Sequence, residues 1–235
     1  MTVSAVGGRV GDVVALVAHA LPLAQAERMG LFTLQSDPQV SRLSLEEQRD
    51  FVRMAHEAGE HAAHDLLTQY HIRDPSQLAA KLGVHVATCE DDARYGSILQ
   101  YADYRSHPPE IRVYQRAVDR LNRLLADESV GEKLGIQDAT PVYVAHELFH
   151  HLDNLPGRQP VKRQRQVVVL KFGPMRLRSG LITAPEIAAG GFAQSLLSLR
   201  FHPKLLDLLA IYLAIYSESA AHAMAWVERL AKAPD

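Results

Sequence analysis

The 235-residue sequence has few of the features that mark specialised classes of protein. Cys89 is the single cysteine, which excludes an internal disulfide and a cysteine-based metal cluster and fits a reducing compartment. The net charge of −2 gives no general attraction to nucleic acid or to an anionic membrane. The composition, 47% hydrophobic and 22% charged, is typical of globular domains. We therefore expect an ordinary folded protein of the cytoplasm.

Long hydrophobic runs are also missing from the sequence. The run 205–216 contains Asp207 and is shorter than the roughly 20 residues needed to cross a bilayer, so we expect no membrane partner. The apolar stretch 10–26 resembles a signal peptide, but Asp12 and His19 interrupt it. An amphipathic helix is therefore the preferred interpretation of that stretch.

Turn signals and hydrophobic periodicity predict an α+β fold with a small mixed or antiparallel sheet of three to four strands, packed with helices. Helices are predicted at 45–70, 75–82, 117–126, 140–153, 183–199, 203–216 and 218–231. Strands are predicted at 84–88, 97–104, 110–115 and 167–172. We divide the chain into an N-terminal helical segment 1–43 of unknown role, a main domain 44–200, and C-terminal helices 201–235 packed on that domain.

The segment from His146 to His150 reads His-Glu-Leu-Phe-His and lies within the predicted helix 140–153. Histidines four residues apart lie one helical turn apart on the same face, so both imidazoles can bind one Zn²⁺ ion. Glu147 can then accept a proton from water at the metal instead of binding the metal. Asp153 is placed to orient a ligand imidazole from outside the coordination sphere. A structural histidine pair without metal is the alternative.

Two histidines do not complete a zinc site, so a third ligand is required. The extended motif with a third histidine is excluded, because Pro156 occupies that position. Glu186 on a later predicted helix is our candidate, since Ala189 and Ala193 on its face would allow close approach to the metal helix. The alternative is a capping box from Thr183 to Glu186, in which the carboxylate only accepts a backbone N–H.

Two segments resemble the motifs A-H-E-x-x-H-H and E-x-x-A-x-x-F-A of the ImmA/IrrE-type metallo-endopeptidases. They are Val144-Ala145-His146-Glu147-Leu148-Phe149-His150-His151 and Glu186-Ile187-Ala188-Ala189-Gly190-Gly191-Phe192-Ala193. The order of predicted elements upstream of them is similar as well. The resemblance implies a zincin-like fold of the gluzincin type, with His146, His150 and Glu186 as zinc ligands and Glu147 as general base. It also implies cleavage of a specific protein, often a transcriptional repressor.

A further histidine pattern lies on the predicted helix 45–70. His56, Glu60 and His64 share one helical face, opposite the stripe of Ala55, Ala58 and Ala62. A solvated polar face is the preferred interpretation, and a second metal site is the alternative.

Gly190-Gly191 stands inside a predicted helix, where each glycine costs about 1 kcal/mol relative to alanine. Close packing against the metal helix would offset this cost. The alternative is that the helix breaks at these residues.

A cluster of cations surrounds the predicted strand 167–172. Its members are Lys162, Arg163, Arg165, Lys171, Arg176 and Arg178. Edge strands often carry cations that prevent aggregation, and this is the preferred interpretation. Docking of an acidic partner is the first alternative, and binding of nucleic acid, which we do not expect, is the second. Beside a catalytic cleft, the cluster would select acidic substrates.

The sequence therefore predicts a zinc metallo-endopeptidase that acts on a protein or peptide substrate. We expect an extended substrate to add to the edge of the sheet beside 110–115. The alternative is a catalytically inactive, metal-stabilised binding or regulatory module with the same fold.

Overall fold

The computed structural model describes residues 13–90, 94–95 and 98–215, and the chain is α+β, as predicted. The helices are α1 (13–20), α2 (Ala26–Leu34), α3 (Leu45–Tyr70), α4 (Pro75–Lys81), α5 (Gln115–Leu125), α6 (Glu128–Leu134), α7 (Thr140–Asp153), α8 (Val161–Gln164), α9 (Ala184–Leu197) and α10 (Lys204–Ile215). Short 3₁₀ turns occupy Leu21–Leu23 and Val40–Arg42. The strands are β1 (His85–Cys89), β2 (Arg94–Tyr95), β3 (Ile98–Leu99), β4 (Ala102–Ser106), β5 (Pro109–Tyr114), β6 (Gln166–Phe172) and β7 (Met175–Gly180). The predicted helix 218–231 lies outside the described residues.

The longest described helix, α3, begins and ends where its sequence signals predict. The Ser44 hydroxyl accepts a hydrogen bond from the Glu47 amide at 3.3 Å, and the Ser44 amide donates to the Glu47 carboxylate at 2.8 Å. These two bonds form the predicted capping box. At the other end, His71 adopts a left-handed backbone with φ of 56°, which terminates the helix.

A three-stranded mixed sheet lies against α7, with the strand order β1-β5-β4. Strand β5 is central, parallel to β1 and antiparallel to β4, which confirms the predicted small mixed sheet. Within the described residues, β4 is therefore an edge strand. The expectation of a substrate strand beside 110–115 is wrong, because both edges of β5 are already paired.

A separate two-stranded hairpin, β6–β7, contains the predicted strand 167–172 and a second strand that the prediction missed. The strands pair antiparallel, from Gln166 opposite Gly180 to Phe172 opposite Met175. Gly173 has φ of 57° at the turn, a conformation that favours glycine. The hairpin does not join the three-stranded sheet.

The helices α3 and α9 cross with their backbones in contact at glycines. A Cβ atom on Gly59 would stand 1.9 Å from the Ala188 carbonyl oxygen, and one on Gly191 would stand 2.6 Å from the His56 carbonyl oxygen. Helix α9 is continuous through its own two glycines, Gly190 and Gly191, so the predicted alternative of a helix break is wrong. The predicted packing of Gly190 and Gly191 against the metal helix is wrong. Gly191 is in close contact with α3, and Gly190 faces the His202 ring.

The N-terminal and C-terminal parts of the described chain share a second apolar core. Val17 of α1 packs in a buried cluster with Leu121 of α5, with Phe201 in the loop before α10 and with Leu205 of α10. The prediction of one helix in 1–43 missed α2, which packs on α3. None of the described helices has both the length and the apolar character of a membrane span.

Candidate metal centre

Helix α7 carries the two histidines of the predicted site at the border between core and solvent. Pro141 stands in its first turn, and the helix has the predicted bounds. Ala145, Leu148 and Phe149 are buried on one face. The side chains of His146 and His150 lie at the edge of that face and remain 25% and 18% exposed. Packing of the apolar face thus fixes the direction of both imidazoles.

Glu186, in the first turn of α9, meets both imidazoles. Its Oε2 lies 3.1 Å from Nε2 of His146, and its Oε1 lies 3.4 Å from Nε2 of His150. The two Nε2 atoms lie 3.2 Å apart. The capping-box alternative for Glu186 is wrong, because the Thr183 side chain does not cap α9. Instead, the Thr183 amide and hydroxyl both donate to the buried carboxylate of Asp37, at 3.1 and 3.2 Å.

These three side chains have the spacing that a metal ion requires. Four ligands at 2.0–2.1 Å around a tetrahedral Zn²⁺ ion lie about 3.3 Å from one another. The donor atoms of His146, His150 and Glu186 are separated by 3.1 to 3.4 Å. The group can therefore hold a metal ion, and it is the one such group of His, Cys, Asp or Glu found among the described residues.

The charges of the site favour a proton or a cation between Glu186 and His146. Burial acts to lower the pKa of His146, but the hydrogen bond and charge of Glu186 outweigh it and raise that pKa to about 9. Burial acts to raise the pKa of Glu186, yet His146 and His150 lower it to about 2. Burial, together with the charge of His146, lowers the pKa of His150 to about 4.

Glu147 lies beside the three-residue group in an environment that favours its protonated form. Burial raises its pKa to about 7, with further increases from the charges of Glu186 and Asp103, against lowering by His146 and by a hydrogen bond from the Tyr104 backbone. A carboxyl group with a pKa near 7 is suited to both accepting and returning a proton at neutral pH.

Strand β4 is joined to α7 next to Glu147. The Tyr104 hydroxyl lies 2.9 Å from Nδ1 of His151, whose ring is buried. Burial lowers the pKa of His151 and raises that of Tyr104, so both groups are neutral near pH 7. His151 therefore positions the edge strand against the helix.

Asp153 does not perform the predicted role of orienting a ligand imidazole. Its carboxylate accepts a hydrogen bond from the Val161 amide at 2.8 Å and makes no hydrogen bond to His146 or His150. The reason is its position at the last residue of α7, from which it anchors the loop leading to α8.

The predicted solvated face on α3 is wrong for His56. This side chain is buried, at 8% exposure, because Gly191 allows α9 to approach it closely. Its Nε2 lies 3.4 Å from the Gln194 side-chain oxygen, and its ring faces His202 at 6.0 Å between centroids. Glu60 and His64 remain exposed, as predicted.

A cleft of about 270 Å³ extends from His146, Glu147 and Glu186. Sequence reasoning missed the residues of its far wall, which are Tyr101, Tyr143, His202, Lys204 and Asp207. The rings of Tyr101 and Tyr143 stack at 4.7 Å, and the Lys204 ammonium pairs with Asp207 at 2.7 Å. No motif marks these residues, because the fold brings them together from three separate parts of the chain: the start of β4, α7 and the segment 202–207.

His202 and Tyr143 are the two residues of this wall that have a buried polar atom without a hydrogen-bond partner among the described residues. The His202 Nδ1 accepts a hydrogen bond from the Lys204 amide at 3.2 Å, which places the ring proton on Nε2. That Nε2 is buried and has no hydrogen-bond partner among the described residues. Burial, assisted by the nearby His56 and Lys204, lowers the pKa of His202 to about 3. The ring is therefore neutral and contributes no positive charge to the cleft.

Comparisons of the chain with protein-family models, with curated proteins and with solved structures return no match. The likeness to ImmA/IrrE-type peptidases thus rests on the two motifs themselves. A fold alone does not define a function, whereas the geometry of a site constrains the chemistry that it can perform.

Proposed function

We propose that this protein is a zinc-dependent metallo-endopeptidase with a zincin-like fold of the ImmA/IrrE type. The observation that carries the proposal is the convergence of His146, His150 and Glu186 within 3.1 to 3.4 Å, in a cleft that also contains Glu147. Two imidazoles and one carboxylate form a recurrent ligand set of catalytic zinc, which leaves a fourth position open. The scarcity of cysteine supports a cytoplasmic location.

Peptide hydrolysis assigns separate tasks to these residues. Zinc held by the three ligands supplies a Lewis acid that polarises a carbonyl group and lowers the pKa of water. Glu147 accepts the proton of the attacking water and returns it to the leaving amine, so that the carboxylate is regenerated in each cycle. No covalent bond between protein and substrate is required.

The edge strand β4 supports a peptide as the substrate. It lies beside α7, joined through Tyr104 and His151, and its residue Ala102 lines the cleft. An extended peptide added to the outer edge of β4, where the Tyr104 backbone already donates to Glu147, would lie beside Glu147 with part of its own backbone hydrogen-bonded to the strand. This edge replaces the one predicted beside 110–115, which is occupied.

The first test is the metal content of the purified protein and its variants. About one zinc per chain is expected in the wild type, and loss of zinc is expected in His150→Ala and in Glu186→Ala. Glu60→Gln, which changes an exposed carboxylate on α3, is the matched control and should keep its zinc. Zinc retained without Glu186 would contradict the proposed ligand set.

A further inference from the structure

The hairpin β6–β7 and the short helix before it carry a concentrated positive charge. Residues 161–180 contain six Lys or Arg residues and no Asp or Glu, in a protein whose net charge is −2. The rest of the chain is therefore at −8 (−2 − 6), so this segment is opposite in charge to the remainder of the molecule. Such separation favours an acidic partner at this segment.

A groove of about 890 Å³ runs between β6 and the start of α3. We call it the arginine groove, because its lining includes Arg42, Arg165, Arg176 and Arg178. Glu47 is the single acidic residue in the lining, and its carboxylate already accepts the Ser44 amide in the capping box.

The arginines on β7 have no side-chain partner within the part of the chain that the structure describes. Neither the Arg176 nor the Arg178 side chain makes an ion pair or a hydrogen bond to those residues. Both side chains are exposed on the strand that pairs with β6. Their guanidinium groups are therefore available for bidentate bonds to carboxylates.

The backbone of β6 offers a second kind of contact. Its residues Gln166 to Leu170 form one wall of the arginine groove. Strand β6 pairs with β7 along one edge, and along its other edge it makes no backbone hydrogen bond to the described residues. An unpaired strand edge is a template for another strand, and an isolated two-stranded hairpin gains stability from a third.

We propose that the arginine groove binds an extended acidic segment of the protein substrate, which adds to β6 as a third strand. Alternate side chains of that segment place carboxylates against Arg165, Arg176 and Arg178. The identity of the partner as the substrate rests on the proposed peptidase function, whereas the binding itself does not. A strand partner is favoured over a nucleic acid because the groove combines cations with a free backbone edge.

Direct binding of a labelled peptide tests the proposal. The probe is a fluorescein-labelled decapeptide of alternating Glu and Val, added to full-length Glu147→Gln protein, with and without zinc. Fluorescence anisotropy should show saturable binding in both states that weakens with salt. The double variant Arg176→Glu/Arg178→Glu should bind at least about tenfold more weakly, because two attractive charges become repulsive. Arg116→Glu, which changes an exposed arginine on α5, should leave the affinity unchanged.

Two further measurements separate strand addition from simple attraction of anions. Hydrogen exchange of the amides of residues 166–170 should slow when the peptide is bound. A Lys-Val decapeptide should not bind, and a ten-nucleotide thymidine oligonucleotide should bind more weakly than the acidic peptide. Absence of peptide binding, oligonucleotide binding of equal strength, or unchanged exchange of β6 would each overturn the proposal. Zinc content and peptide cleavage are measured independently of peptide binding. The experiments therefore distinguish an error in the proposed binding groove from an error in the proposed peptidase function.

Discussion

The candidate metal centre and the β6–β7 hairpin are built in opposite ways. The centre lies on two helices whose neighbouring side chains, including Phe149 and Phe192, are buried, with their rings 5.7 Å apart. On the hairpin, Leu170, Phe172 and Met175 are 60%, 80% and 71% exposed. Dense packing of this kind is suited to holding side chains within the small tolerances that a metal ion or a reaction requires. A thinly packed hairpin with free edges is instead suited to contact with a partner.

The two regions also differ in how their charges are balanced. At the centre, Glu186 is within 3.4 Å of both histidines, so the negative and positive groups satisfy each other. On the hairpin, Arg176 and Arg178 have no internal counter-charge among the described residues. Substitutions should therefore have large effects at the centre and its packing, and small effects on stability at the hairpin.

The largest effect is expected for Glu147→Gln. Loss of the general base should reduce cleavage by roughly 10²- to 10⁴-fold while zinc content stays at the wild-type level. A peptide library analysed by mass spectrometry supplies the substrate for the assay. Undiminished cleavage would show that Glu147 is not the base.

The next effect is on stability at the crossing of α3 and α9. Gly→Ala inside a helix normally stabilises by about 1 kcal/mol, but a Cβ on Gly59 would meet the Ala188 carbonyl oxygen at 1.9 Å. Urea unfolding of Gly59→Ala should therefore show a loss of about 1–3 kcal/mol. Thr68→Ala, at an exposed position of the same helix, is the control and should change stability by less than about 0.5 kcal/mol. A more stable Gly59→Ala protein would contradict the close crossing.

A smaller effect is the pH dependence of zinc affinity. In the metal-free protein, Glu186 raises the pKa of His146 to about 9, so zinc must displace one proton at pH 7 to 8. His150, with a pKa of about 4, releases none in this range. Zinc affinity should thus rise about tenfold from pH 7 to pH 8, measured by competition with a chelator. An affinity that is flat or falls with pH would exclude this proton displacement.

The smallest effect is expected at the tip of the hairpin. Phe172→Ala should change the free energy of unfolding by less than about 0.5 kcal/mol, because the ring is already 80% exposed. Zinc content should also be unchanged. A loss of more than about 1 kcal/mol in urea unfolding would show that the ring is buried in solution, and the contrast between the two regions would fail.

The elements with strong local signals were predictable from the sequence. Ser44 and Glu47 define the start of α3, and Pro141 marks the first turn of α7, so both helices have their predicted bounds. The spacing of His146 and His150 places them on one face for the same local reason. The missed elements are short or weakly patterned. They are α2, α6, α8, β2 and β7. The single strand predicted at 97–104 is wrong, because the structure divides it into β3, which pairs with β2, and β4, which pairs with β5.

Features that depend on tertiary packing could not be predicted in the same way. The helical periodicity of α3 placed His56 on a solvent face, but the glycines of α9 bring a second helix over it. Asp153 is next to the metal motif in sequence, yet its hydrogen bond to Val161 is set by the path of the following loop. The residues of the cleft wall, such as His202, likewise reach the site from a distant part of the chain.

The hydrogen bonds between Asp37 and Thr183 connect the loop between α2 and α3 to the N-terminus of α9, the helix that carries Glu186. A shortened chain beginning at Ser44 would retain all three candidate metal ligands and Glu147. It would nevertheless leave the Thr183 amide and hydroxyl, both buried in the full chain, without their acceptor. The segment before α3 thus stabilises the N-terminus of α9 through these hydrogen bonds. Boundaries for recombinant fragments should be chosen to include it.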